Sequence, residues 1–339
     1  MSRRKRSLII AEAGVNHNGS LEIAKRLVDA AKACGADAVK FQTFKTERLV
    51  TRKAEKAEYQ KRFTGRADSQ SEMLKRLELR DNDFGVLLDH CRFCGIQFLS
   101  SPFDEASADL LDSLGMETFK IPSGEITNHP FLKHVARKKR PVILSTGMCN
   151  LGDVEEAVEI FRAFDIPRLI LLHCVTEYPA PYDQVNLSAM NTLRAAFGHE
   201  VGYSDHTPGI EIPVAAVSLG ATVIEKHFTL DNTMDGPDHK ASLNPDEFRH
   251  MVQAIRNVEQ AIGDGIKRPA ACELKNIGIA RKSIVAAETI EAGEVITRGK
   301  LAVKRPGTGI QPKEIEKVIG LKAKTRIVED EVLRWDCLV

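Results

Sequence analysis

Residues 8–44 read LIIAEAGVNHNGSLEIAKRLVDAAKACGADAVKFQTF. The stretch opens on an apolar run at 8–11 and passes polar and glycine punctuation. It continues with Leu21, Ala24, Leu27, Val28 and Ala31, which recur at helical spacing over 21–34. Ser20 stands where a side-chain oxygen caps a first turn, and Gly35 where a helix ends in a left-handed residue. A second apolar run follows at 38–41. Strand, helix and strand in so short a span predict a parallel β-α-β unit.

The same rhythm recurs outward from this unit. Further apolar runs lie at 96–99, 117–121, 141–144, 168–172, 200–203 and 222–225, and helical patterns at 105–114, 152–163, 187–196 and 246–261. Eight strands alternating with helices predict an α/β fold of the (β/α)8 TIM-barrel type over residues 8–265. A doubly wound sheet is the competing architecture, but no G-x-G-x-x-G follows the first strand and no phosphate-binding P-loop occurs. Residues 1–7 read as a basic tail and 266–278 as a linker. Residues 279–339 read as a small β-rich domain, with strand-like runs at 283–286, 301–303 and 325–328 between glycine and proline punctuation.

The 339 residues carry 48 Lys+Arg against 47 Asp+Glu, a net charge of +1, which argues against a nucleic-acid partner. No run approaches the roughly 20 apolar residues of a membrane helix, so no membrane partner is expected. Seven cysteines, an odd number, fit reduced thiols and a cytoplasmic location better than a disulfide framework. Cys91-x-x-Cys94 lacks a second pair and falls in a helical pattern, so both are expected as structural thiols.

Barrel enzymes build their sites where the strands exit. Polar groups stand at all eight exits, from Glu12, Asn16 and His17 through Lys40 and Gln42 to Glu225, Lys226 and His227. His206 and His227 end the seventh and eighth strands, which are neighbours in a barrel, and two imidazoles there can share a divalent cation. Lys40, Lys120 and Lys226 with Ser101, Ser123, Ser145 and Ser204 suggest an anion cradle. The alternative is that each lysine pairs with Glu12, Glu125 or Glu225. A metal beside an anion points to Lewis-acid polarisation of a carbonyl while an anionic co-substrate attacks.

The segments AEAGVNHNGS (11–20), AVKFQTFK (38–45), KAEYQ (56–60), LSSPFDE (99–105), FKIPSGE (119–125), ILSTGM (143–148), LHCVTEYPAP (172–181), GYSDHT (202–207), EKHFTLD (225–231), GPDHKAS (236–242), ARKSIVA (280–286) and KRPGTGI (304–310) run in order along nearly the whole chain. On these motifs the chain resembles the bacterial sialic acid synthase family, the phosphoenolpyruvate-dependent N-acetylneuraminate and legionaminate synthases. The resemblance implies a TIM barrel joined to an antifreeze-like C-terminal domain. It implies condensation of phosphoenolpyruvate with N-acetylmannosamine to give N-acetylneuraminate and phosphate. The alternative is 2,4-diacetamido-2,4,6-trideoxymannose, giving N,N'-diacetyllegionaminate.

It further implies a divalent metal on His206 and His227, Mn2+ first, with Mg2+ or Co2+ as alternatives. Lys40, Ser101, Lys120, Ser123, Ser145 and Ser204 match positions that hold phosphoenolpyruvate. Gln42, Tyr178, Asp238 and Arg305 match sugar-binding positions, and Glu125, Glu12 and Lys120 are the catalytic candidates. Arg305 is expected to reach a neighbouring protomer in a homodimer with swapped C-terminal domains. Thr176 departs from members that carry Asn there. A Schiff-base aldolase on Lys120 or Lys226, and a binding protein without catalysis, are the remote alternatives.

Overall fold

The computed structural model describes residues 6–64 and 68–339. Arg3, Arg4 and Lys5 of the expected basic tail lie outside the described residues. The chain forms two compact units, residues 1–263 and 264–339.

In the first unit, β1 (Leu8–Gly14), β2 (Ala38–Thr43), β3 (Gln97–Pro102), β4 (Phe119–Ile121), β5 (Val142–Ser145), β6 (Leu169–Cys174), β7 (Glu200–Asp205) and β8 (Val223–His227) form one parallel sheet. Their order is β3-β2-β1-β8-β7-β6-β5-β4, and β3 lies beside β4, so the sheet curls into a ring. One long helix precedes each next strand or closes the round: α1 (Leu21–Ala33), α2 (Asp81–Cys94), α3 (Glu105–Ser113), α4 (His129–Ala136), α5 (Leu151–Ala163), α6 (Ala189–Phe197), α7 (Glu211–Ser218) and α8 (Pro245–Ala261). The first unit is therefore the (β/α)8 barrel. The Ser20 hydroxyl accepts from Ile23 N, capping α1, and Asn244 with Pro245 and Glu247 builds a capping box for α8.

Each apolar run of the sequence overlaps a strand, yet most strands continue past it. The ladder still pairs Gln42 with Ser101, Cys174 with Ser204 and Asp205 with Lys226, so the polar exits belong to the sheet. Two-residue alternation then sorts them. Inside the ring, Ile10, Ala38, Leu99, Ile143, Leu172 and Val223 close an apolar layer. Two residues further along the same strands stand Glu12, Lys40, Ser101, Ser145, Cys174 and Glu225, the polar layer above it. Residues of the opposite parity, such as Ile9, Val39, Phe41, Leu171, Tyr203 and Ile224, pack outward beneath the helices.

The β2–β3 connection carries three short helices, Thr46–Leu49, Glu58–Thr64 and Gln70–Leu77, which the periodicity did not anticipate. Met73, Leu74 and Leu77 join Val15 and Phe44 in a separate apolar cluster against Leu49, Val50 and Phe103.

In the second unit, β9 (Ser283–Ala286) pairs antiparallel with β10 (Leu301–Lys304). The third expected strand, 325–328, is instead a single bridge from Ile327 to Ile290, because only Ile327 of that run faces the small core. That core gathers Ile284, Ile290, Ile296, Leu301, Ile310 and Leu333 among others. The interval 266–278 carries a 3-10 turn, Ala271–Glu273, and most of the short helix Leu274–Ala280. Among the described residues no helix is long and apolar enough to cross a membrane.

Candidate active site

The polar layer opens into a cavity of about 270 Å3 at the ends of the barrel strands. From the sequence candidates, Glu12, Lys40, Gln42, Ser101, Lys120 and Ser123 line it on one side. Ser145, Tyr178, Ser204, His206, His227 and Asp238 line it on the other.

The lysines are paired. Lys40 Nζ lies 2.6 Å from Glu12 Oε2 and 3.8 Å from Glu225 Oε1, and it donates to Ser101 Oγ at 3.2 Å. Lys120 Nζ lies 3.4 Å from the same Glu225 oxygen, which also accepts from Ser204 Oγ at 3.1 Å. Gln42 Nε2 donates to Glu12 Oε1 at 3.3 Å. The reading in which lysines meet carboxylates therefore describes the floor, with Glu225 as the hub. Glu225 stood in the sequence among the polar exits and the possible lysine partners, and its position two residues after inward-facing Val223 sets it in the mouth.

Burial is the largest influence on all four groups. It pushes the Glu12 carboxyl up against the pull of Lys40. It pushes Lys120 down, partly offset by Glu225. Burial also disfavours the Lys40 ammonium, but Glu12 and Glu225 together outweigh it and hold Lys40 above its usual range. For Glu225, burial is outweighed by Lys120 and Lys40, and the carboxyl is lowered. The lysines thus favour the ionised form of Glu225, while burial favours the protonated form of Glu12.

The two candidate metal-binding imidazoles face each other with ring centroids 5.6 Å apart. His206 Nδ1 donates to the Val175 carbonyl at 2.5 Å, which leaves Nε2 with its lone pair. His227 Nδ1 is buried without a hydrogen-bond partner among the described residues and lies 3.9 Å from Asp238 Oδ2. Burial lowers both histidines, His227 with added repulsion from His206, which favours the neutral ring with a lone pair to give. Two neutral imidazoles beside a carboxylate are a donor set that fits a divalent cation. The Tyr178 ring lies 4.2 Å from His206 and 4.9 Å from Tyr59, forming an aromatic flank.

Ser123 Oγ accepts from Gly147 N at 2.9 Å and contacts Cys174 Sγ at 3.2 Å. A side chain at Gly147 would bring Cβ to 2.5 Å from Thr176 Oγ1 and 2.9 Å from Ser123 Oγ, so this close approach requires glycine. Ser145 Oγ and Glu225 Oε2 are buried polar atoms without hydrogen-bond partners among the described residues. Leu49, Val50, Met73, Leu74 and Phe103 form an apolar wall to the same cavity. The sequence offered no signal for that wall, since its residues come together only through the β2–β3 connection.

Several candidates stand elsewhere. Glu125, on the 3-10 turn Ser123–Glu125, is half-buried, accepts from Asn128 Nδ2 at 2.7 Å and does not line the cavity. Lys226 is fully buried and ion-paired to Asp205 beneath the helices, outside the mouth. It holds the odd strand position between Glu225 and His227, so the pleat turns it outward. Asn16 Nδ2 ties the β1 loop to the Phe228 carbonyl and Ser242 Oγ. Arg305 is exposed on the second unit, its Nε donating to the Ala280 carbonyl at 3.1 Å.

A family model described as the NeuB family matches residues 27–267, and one described as the SAF domain matches 281–339. The chain belongs to the NeuB family. The N,N'-diacetyllegionaminic acid synthase of Campylobacter jejuni is 52% identical over 332 residues, covering 97% of this chain and 99% of the relative. The corresponding synthase of Legionella pneumophila is 49% identical, with coverage of 97% and 93%. Among solved structures, the N-acetylneuraminic acid synthetase of Leptospira borgpetersenii, in complex with citrate, superposes with a TM-score of 0.72 at 36% identity, covering 81% of this chain and 91% of that one.

Proposed function

We propose that this NeuB-family chain is an N,N'-diacetyllegionaminate synthase, which condenses phosphoenolpyruvate with 2,4-diacetamido-2,4,6-trideoxymannose and releases phosphate. The observation that carries the reading is the inward polar layer. Two lysines, four serines and a histidine pair converge on one cavity, and Ser145 Oγ is a buried hydroxyl without a hydrogen-bond partner among the described residues. The names of the two legionaminate relatives favour this sugar over N-acetylmannosamine, the first expectation from the motifs. The apolar wall of Leu49, Val50, Met73 and Leu74 supports the same choice, because a deoxy C6 methyl needs no hydrogen-bond partner.

Lys40 and Lys120 take the charge of phosphoenolpyruvate, and the hydroxyls of Ser101, Ser123, Ser145 and Ser204 donate to its phosphate and carboxylate oxygens. Glu12 and Glu225 already balance the two lysines. An incoming anion therefore needs further positive charge, from a cation or a proton taken up by Glu12. His206 and His227 would hold a divalent metal, Mn2+ in this proposal, which supplies a Lewis acid for the aldehyde carbonyl of the opened sugar.

C3 of phosphoenolpyruvate forms the new bond to sugar C1, whose oxygen takes a proton from an acid in the mouth. Glu12, raised by burial, is the group placed to give it. Water then adds at C2, loses a proton, and the C–O bond to phosphate breaks to leave the keto acid. Gln42, Tyr178 and Asp238 hold the sugar in near-attack geometry. Glu125 is kept as a rim candidate for positioning water. A homodimer in which a swapped C-terminal domain lends Arg305 to the neighbouring mouth would close it against bulk water.

The deciding experiment incubates the protein with Mn2+, phosphoenolpyruvate and each sugar, and reads phosphate release and product mass. Release with neither sugar rejects the synthase reading. Turnover confined to N-acetylmannosamine rejects the legionaminate assignment alone.

A further inference from the structure

Far from the mouth, α1 and α2 pack side by side on the outside of the barrel. Asp29 lies in the later part of α1, and His90 and Cys94 lie in the last turns of α2. Barrel helices run antiparallel to the strands, so these three residues sit toward the end where strands begin, opposite the cavity. His90 and Cys94 are four apart and share one helix face. The facing helix supplies Asp29.

Their ligand atoms converge. His90 Nε2 lies 2.7 Å from Asp29 Oδ1, Cys94 Sγ lies 3.4 Å from the same oxygen, and Cys94 Sγ lies 3.7 Å from His90 Nε2. Cys94 is half-exposed and the Asp29 side chain is 56% exposed, so solvent reaches the cluster. Neighbouring Cys91 differs: it is fully buried, and burial pushes its thiol up to about 12. The expectation of two structural thiols therefore fits Cys91, whereas Cys94 packs only in part against the barrel core and brings its Sγ to Asp29 and His90.

We propose that Asp29, His90 and Cys94 form a second metal site, which takes a thiophilic divalent cation of the Zn2+ class and clips α1 to α2. Tetrahedral Zn2+ with Zn–N and Zn–O near 2.0–2.2 Å and Zn–S near 2.3 Å separates its ligand atoms by about 3.3–3.6 Å. The sulfur–oxygen distance already falls in this range, and the sulfur–nitrogen distance lies about 0.1 Å beyond it. The N···O distance must open by about 0.6 Å, within reach of an exposed aspartate rotamer. Binding exchanges the thiol proton for metal: Zn2+ and Cys94–SH give the Zn–thiolate and a released proton, and His90 ligates through Nε2 as the Nδ1–H tautomer. Water completes the fourth position. A thiolate in the set disfavours Mg2+ and Mn2+ and separates this site from the mouth, where His206 and His227 stand with a carboxylate.

The test strips the full-length protein of metal and titrates it with Co2+, reading the thiolate-to-cobalt absorption band, then competes with Zn2+. The wild-type chain gives the band at micromolar protein. His206→Ala and His227→Ala keep it, Cys94→Ser abolishes it, and His90→Ala weakens binding by more than the roughly 10–100-fold that an outer-shell loss costs. In a His206→Ala/His227→Ala background, Zn2+ raises the melting temperature while Cys94 is present and no longer does so when Cys94→Ser is added. A missing band in wild type, or a band that survives in Cys94→Ser on exposed Cys272 or another thiol, overturns the proposal.

Discussion

Lys226→Met separates structural lysines from those of the mouth. The Lys226 ammonium contacts Asp205 Oδ2 at 2.5 Å and also donates to the Thr207 carbonyl, and neither charged side chain is exposed to solvent. Removing one partner of such a pair costs about 3–5 kcal/mol, because the remaining charge is left buried. Asp205 would still accept from Thr207 N at 3.1 Å and Thr207 Oγ1 at 2.9 Å, which places the loss near the lower end. At about 2–4 °C per kcal/mol for a domain of this size, the melting temperature should fall by about 6–12 °C. Lys226→Met/Asp205→Asn removes the stranded charge and should recover part of that fall. Calorimetry measures the stability, and phosphate release well below the transition measures function. Turnover in Lys226→Met should stay within about threefold of wild type, whereas Lys120→Met, which removes a cavity cation, should lose about a hundredfold or more. An unchanged melting temperature, or lost turnover with stability intact, would refute the outward assignment of Lys226.

Ser145→Ala deletes a buried hydroxyl without a hydrogen-bond partner among the described residues, so no hydrogen bond is lost and stability should not fall measurably. A lost hydrogen bond to a charged phosphate is worth about 1.5–3 kcal/mol, so KM for phosphoenolpyruvate should rise by about tenfold or more in steady-state assays. Burial, with repulsion from His239, pushes His17 down to about 4. Between pH 6.5 and about 4 the unfolded chain therefore binds the extra proton, so stability falls as pH falls through that window. His17→Gln should flatten the denaturant-derived stability curve there by about 1.4 kcal/mol per pH unit; an unchanged slope would show that His17 titrates normally. Chelation should stop phosphate release and Mn2+ restore it, with no restoration in His206→Ala; full activity after chelation would exclude the metal role. Leu74→Gln should lower kcat/KM for the trideoxy sugar relative to N-acetylmannosamine, and an unchanged ratio would detach the wall from sugar selection.

The eight apolar runs predicted the strands because a buried parallel strand needs an uninterrupted hydrophobic stretch. Helix α1 was equally legible, since its cap and its apolar stripe are local. The β2–β3 connection was not legible: its three short helices are held by contacts to Val15, Phe44 and Phe103 that no local pattern encodes. The run 325–328 looked like a strand for the converse reason. Its composition suits one, but only Ile327 finds a partner strand position.

Strand alternation was present in the residues themselves: Glu225 and His227 share a parity that Lys226 does not, and that alone separates mouth from helix layer. Which carboxylate each lysine meets depended on ring closure, which brings β8 beside β1 and sets Glu225 between Lys40 and Lys120. The order of elements, the barrel and the polar exits are thus written along the chain, where periodicity and composition act over neighbouring residues. The charge balance of the mouth, its apolar wall and the Asp29–His90–Cys94 cluster arise only when segments distant in sequence meet, because pairing energies depend on separation in space.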